Sequence, residues 1–205
     1  MHPGKSYRGV VDFKSEGLIK ESCQINEENK SRLISIIQHQ RQKCLHMPKY
    51  MVLRCIGTHD SILEEIRMEL GIDVVYYNME TKGTDSDSVS ISMLKSRPKN
   101  FTLFVVRGML RMGKELPKKN LCAVFESAKK SNNNTILQGL LGRACGYHTE
   151  KIDIYLPADF IKPGSGLDEY EAVVESDFQI AISGTQHTSR RETQPKASNG
   201  LVTNV

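Results

Sequence analysis

At 205 residues, with 25% charged and 39% hydrophobic residues and a net charge of +4, the chain is long enough to bury a full core as one domain with tails. No apolar run reaches the roughly 18 residues that span a bilayer. The N-terminus, MHPGKSYRGVV, lacks a signal-peptide core, so the expected location is cytosol or nucleus, with no membrane partner.

Residues 1–25 show no sustained period and are predicted as an extended arm or linker. From about Glu27 to Arg41, Leu33, Ile34, Ile36 and Ile37 supply the apolar stripe of a helix, with Asn26 as its cap. YMVLRCI (50–56) is predicted as a buried strand. Thr58 or Asp60 would then cap a helix through Leu70 that carries Ile62, Leu63 and Ile66 on one face and stops at Gly71. IDVVYY (72–77) is a second strand, followed by a Ser/Asp/Thr-rich turn and a short helix near Val89 to Lys95. FTLFVV (101–106) and NLCAVFE (120–126) are the next strands. Thr135 starts a helix bearing Ile136, Leu137, Leu140 and Leu141, and KIDIYLP (151–157) closes the series.

Strands alternating with helices imply an α/β fold in which a mostly parallel sheet is sandwiched between helices. Residues 161–182 are predicted as an acidic helical extension. Residues 183–205, rich in Ser, Thr, Gln and Asn, are predicted as a disordered tail.

Charge is unevenly spread. Residues 101–151 hold nine Lys/Arg against three Asp/Glu, and 152–177 hold seven acids against one lysine, the pattern of a polyanion-facing surface with an acidic flank. The five cysteines are odd in number, widely spaced and mostly in apolar contexts, so they read as reduced core residues. Cys44/His46 and Cys145/His148 lack the two-cysteine knuckle of a zinc site, and no metal is expected.

VVRGMLRMGKELP (105–117) contains Gly108, Gly113 and Lys114 at P-loop spacing. A working P-loop needs a helix starting at the lysine and a Ser or Thr hydroxyl for Mg²⁺. Here Pro117 follows three residues after Lys114, the next strand begins near Asn120, and Glu115 replaces the hydroxyl residue. A small P-loop kinase or ATPase is therefore the weakest of three readings.

The same stretch resembles motif V of superfamily 2 helicases of the DEAD/DEAH type (V-A-T-D-V-A-A-R-G-L-D-I-P). Val105 and Val106 match its strand end, Gly113 its glycine, Leu116 its aliphatic residue and Pro117 its proline, with Glu115 in place of Asp. QGLLGRACGY (138–147) is similar to motif VI (Q/H-R-x-G-R-x-x-R) through Gly142 and Arg143, in a form like that of helicases from phages and large DNA viruses. The segment 49–71 and the strand VVYYN resemble the motif IV region and the strand after it.

The resemblance covers about residues 26–157 and implies a RecA-like three-layer α/β/α domain over 26–160, the second lobe of such a helicase. It implies that Arg143 is the arginine finger, that Gly113 and Glu115 approach nucleotide with it, and that Arg107, Gly108 and Lys114 meet the backbone of DNA or RNA. ATP and Mg²⁺ would bind only with a separate ATP-binding lobe, because no segment supplies a true P-loop with its Asp-Glu pair. The family's final motif VI arginine falls at Gly146, and the Gln138 to Gly142 spacing is one residue longer than usual. The alternative, on the basic block alone, is an ATP-independent nucleic-acid-binding module.

Overall fold

The apolar runs become strands because both of their faces are covered, leaving the backbone polar groups no partner except neighbouring strands. The computed structural model describes residues 7–77, 90–107, 115–127 and 133–175. By contact the chain divides into Met1–Glu171 and Ala172–Val205, and the architecture that follows is that of the first unit.

The elements run β1 (Tyr7–Arg8), α1 (Val10–Ser15), β2 (Ile19–Glu21), α2 (Lys30–Lys43), β3 (Tyr50–Cys55), α3 (Asp60–Leu70), β4 (Asp73–Tyr77), β5 (Thr102–Arg107) and β6 (Leu121–Glu126). A kinked helical segment follows, made of α4 (Asn133–Ile136), a π-type turn (Leu137–Leu141) and α5 (Gly142–Ala144). Then come β7 (Gly146–Tyr147), β8 (Asp153–Leu156), α6 (Ala158–Ile161) and α7 (Gly166–Glu175).

Six strands pair in the order β2-β8-β6-β3-β5-β4, every pair parallel, and β1 pairs antiparallel with β7. Alternate strand residues feed two cores. Tyr50, Val52, Phe104, Val106 and Val124 pack with α1, the kinked segment, α6 and α7. Met51, Leu53, Leu103, Val105 and Phe125 pack with α2 and α3. This is the predicted α/β/α sandwich, and a period of two in the strands sends successive side chains to opposite layers.

The N-terminal segment does not form the predicted extended arm. It folds into α1 and the edge strand β2, burying Val10, Phe13 and Leu18 in the first core. A six-residue helix is too short to display a period, and a three-residue strand exists only because β8 pairs with it in register, Ile19 opposite Ile154.

Asn26 caps a 3₁₀ turn (Glu27–Asn29) ahead of α2, its side-chain oxygen accepting from Asn29 N at 2.9 Å. The N-cap of α3 is His59 rather than Thr58 or Asp60. Asp60 is the first helical residue, and its carboxylate is taken by Arg107 of β5. Gly71 ends α3 with φ +58°, a left-handed position that glycine adopts without strain. The predicted helix near 89–95 is a 3₁₀ turn, Ile91–Lys95.

The helix predicted from Thr135 is broken at Gly139 (φ −78°, ψ −131°). A Cβ added at Gly142 would lie 2.1 Å from the Leu137 carbonyl oxygen, so this turn closes only with glycine there. Gly142→Ala is expected to cost about 1–3 kcal/mol, because a backbone carbonyl cannot step aside as a flexible side chain does. Urea denaturation followed by circular dichroism measures it, and an unchanged midpoint would show that the turn relaxes freely.

Asp153 of β8 is 1% exposed and gathers Gln40 Nε2 at 2.5 Å, Lys43 Nζ at 2.6 Å and Lys20 Nζ at 2.7 Å. Burial alone would push its pKa up, but the hydrogen bonds from Lys20, Lys43 and Gln40 outweigh it and hold the carboxyl below its ordinary value. A carboxyl lowered by folding stabilises the fold above its unfolded pKa, about 3.9, and loses that contribution as pH falls through the folded value. Wild-type stability is therefore expected to fall below pH about 4. Asp153→Asn should start lower at neutral pH and show a flatter acid limb. Urea midpoints across an acid series check this, and parallel limbs would remove Asp153 from the account.

Candidate functional site at the carboxyl edge of the sheet

From β3 the chain first builds β4 and β5 on one side of the sheet and then β6 and β8 on the other, so the order reverses around β3. In open α/β sheets the crevice outside the carboxyl ends of the strands at such a switch point is where ligands bind. Here that edge is charged.

Arg54, the fifth residue of β3, and Glu126, the last of β6, stand opposite each other in the parallel register and are 3% and 1% exposed. Arg54 Nη1 donates to Glu126 Oε2 at 2.5 Å. The pair is held by its surroundings: Ser127 N and Oγ both donate to the Arg54 carbonyl, at 3.1 and 3.0 Å. Gly139 closes the pair from the kinked segment, where a Cβ would come within 3.3 Å of Arg54 Nη1 and 3.8 Å of Glu126 Oε2. The break at Gly139 thus lets the helical layer approach two buried charges. π-type turns inside helices occur frequently at functional sites.

Arg143 lies beyond that break, half-buried, with Nη1 donating to the Gly139 carbonyl at 2.9 Å. Burial first, and then the Arg54 guanidinium beside it, push its pKa below the usual arginine value. Arg107, last residue of β5, pairs with Asp60 at the start of α3 and lies over the Tyr76 ring, 4.5 Å from its centroid. Cys55 is buried among these groups. Its thiol is pushed up by burial, while Arg107 and Arg54 oppose that and Glu126 adds to it.

The residues predicted for the site thus separate into three groups. Arg107 and Arg143 lie at this edge, Arg143 beside Arg54. Glu115 is exposed in the segment that leads into β6. Gly108, Gly113 and Lys114 lie outside the described residues, as do Lys129, Lys130 and the tail 183–205. Gly146, at the position of the family's last motif VI arginine, sits in β7 (φ +139°), where a Cβ would lie 3.3 Å from Lys118 Nζ.

Neither Arg54 nor Glu126 is among the site residues predicted from the sequence. Arg54 did carry a signal: a cation inside the otherwise apolar YMVLRCI needs a buried counter-charge, and a second apolar strand ends in glutamate. As for metal ligands, no group of three or more His, Cys, Asp or Glu among the described residues is placed to hold an ion. His148 Nε2 donates to the Ala144 carbonyl at 2.8 Å.

Comparison with known protein families returned no match. An uncharacterized protein of Acanthamoeba polyphaga mimivirus is 25% identical over 197 residues, a match covering 88% of this chain and 46% of that protein. The chain therefore spans less than half the length of this viral relative. Among the described residues, no helix is long and apolar enough to cross a membrane.

Chemically, the edge offers guanidinium groups in a partly dehydrated setting, with a buried carboxylate fixing one of them. Such forks match phosphate oxygens two at a time, and lowered exposure strengthens each contact.

Proposed function

We propose that this chain is the second RecA-like lobe of a superfamily 2 helicase or translocase, acting with an ATP-binding lobe on DNA or RNA. The observation that carries the reading is the convergence of Arg54, Glu126 and Arg143 at the switch point, on the edge where β5 ends in Arg107 and the motif V-like loop begins. The motif V-like and motif VI-like segments are far apart in sequence, yet both start from this edge.

In this reading Arg143 gives up its hydrogen bond to Gly139 and reaches the γ-phosphoryl group of ATP held by the other lobe. There its guanidinium offsets the charge that develops as the phosphoryl group transfers. Arg54, locked to Glu126, acts as the fixed cation that keeps Arg143 extended toward the cleft by like-charge repulsion. Gly113 and Glu115 border the nucleotide, and Arg107, Gly108 and Lys114 meet nucleic-acid phosphates without reading sequence. The mimiviral relative, with more than half its length beyond the matched part, is where an ATP-binding lobe in the same chain is to be sought.

The test is reconstitution. The chain is mixed with, or fused to, a P-loop-containing lobe, and ATP hydrolysis is followed with and without single-stranded DNA or RNA. Stimulated hydrolysis that requires this chain supports the proposal. Salt-dependent oligonucleotide binding without any gain in hydrolysis would instead favour the ATP-independent binding module.

A further inference from the structure

A site outside that edge draws on two of the five cysteines. Cys44 is the C-cap of α2, and Cys122 is the second residue of β6. The β3–β6 register shifts between Tyr50 and Met51, so that Leu121 and Ala123 take successive partners and Cys122 is the extra residue of a bulge. The bulge breaks the alternation of side chains. Leu121 and Val124 belong to the first core, whereas Cys122 and Ala123 both belong to the second, on the α2 side. Bulges re-aim side chains in this way. Here the side chain re-aimed is a thiol, which donates to the Tyr50 carbonyl at 3.2 Å and shares a cavity of about 260 Å³ with Cys44, Lys43, Lys49 and Lys151.

We propose that Cys44 and Cys122, which line one cavity, form a redox-active dithiol in which Cys44 exchanges with a small anionic disulfide of the glutathione class and Cys122 resolves the adduct. Lys43 pairs with Asp153 and Lys49 with Glu150, so the cation that favours an anionic reagent is Lys151, exposed at the rim. The two thiols differ in the required sense. Its neighbour Cys122 first, and then Lys49 and Lys43, lower the Cys44 pKa to about 7 against the effect of burial, while Cys44 and burial push Cys122 well up. Burial pushes Cys23, Cys55 and Cys145 up as well, so those three stay as thiols.

The exchange balances. The Cys44 thiolate attacks one sulfur of the disulfide and expels a thiolate, which takes the proton of Cys122. The Cys122 thiolate then attacks the Cys44 sulfur and expels the second thiolate, which takes from solvent the proton that Cys44 released on ionising, so two protein thiols are oxidised to one disulfide and the reagent is reduced to two thiols.

The reduced full chain is incubated with glutathione disulfide and examined by intact mass and peptide mapping. The expected product has lost two hydrogens and carries a Cys44–Cys122 cross-link, with Cys23, Cys55 and Cys145 untouched. Cys122→Ser should stop at a glutathione adduct on Cys44, and Cys44→Ser should give neither product. A lasting Cys44 adduct in the wild type, or unchanged thiols at equilibrium, overturns the proposal. A measurement that needs no variant stands beside it: iodoacetamide alkylation of Cys44 should rise with pH through a midpoint near about 7, and a midpoint at the ordinary thiol value of about 8.5 sinks the assignment. None of these outcomes depends on the proposed helicase role.

Discussion

Arg143→Ala is expected to lower nucleic-acid-stimulated ATP turnover of the reconstituted two-lobe assembly by roughly 10³-fold or more, the range measured when an arginine finger is lost. The loss should fall on kcat, with KM for ATP and affinity for single strands nearly unchanged, because the interaction is made in the transition state. Arg143→Lys should not rescue. A lysine brings charge without the planar fork, and its ammonium carries a tighter hydration shell. The isolated chain should tolerate the alanine, since Arg143 is only half-buried and its hydrogen bond to Gly139 lies within one turn of the same segment. Turnover within a few-fold of wild type would remove Arg143 from the chemistry and leave it as a helix-stabilising residue.

Arg54→Ala is expected to destabilise the fold by about 3–5 kcal/mol, because it leaves the Glu126 carboxylate buried without its cation. The double change Arg54→Met with Glu126→Leu should cost less than Arg54→Ala alone, since a buried ion pair is often replaceable by apolar groups of similar size at little net cost. Guanidinium denaturation of Arg54→Met, Glu126→Leu and the double variant gives the coupling between the residues. A cost below about 1 kcal/mol for Arg54→Ala would mean that water reaches the pair and that the edge is wetter than its 3% and 1% exposure implies. The two experiments separate roles that a catalytic assay alone would merge: holding the edge together, as the buried pair of Arg54 with Glu126 does, and acting from it, as the proposed function assigns to Arg143.

Much of the fold could be read from local pattern. The apolar runs at 50–56, 101–106 and 120–126 became β3, β5 and β6, and Ile62, Leu63, Ile66 and Leu70 line the buried face of α3 as their spacing required. These elements are long enough for periodicity to decide between helix and strand. Elements whose stability comes from one distant partner were not legible. β2 has three residues and pairs with β8 135 positions away, and α1 is a turn and a half held by Val10 and Phe13 in the core. The strand order, with β5 and β6 on either side of β3, is likewise a choice among topologies that the pattern leaves open.

The site divides along the same line. Arg107 and Arg143 are chosen through the resemblance to helicase motifs V and VI, whereas Arg54 and Glu126 become one unit only when β3 and β6 lie side by side in register. By itself the sequence determined the layers, the elements of length and the charged segments, because periodicity and charge are properties of neighbouring residues. Only the tertiary structure decided that Arg54 meets Glu126, that Gly139 breaks a helix to reach them, and that a one-residue bulge turns Cys122 toward Cys44. Each of these depends on the register and approach of segments far apart in the chain, and the energy of a buried charge or a re-aimed thiol is set by what surrounds it in space.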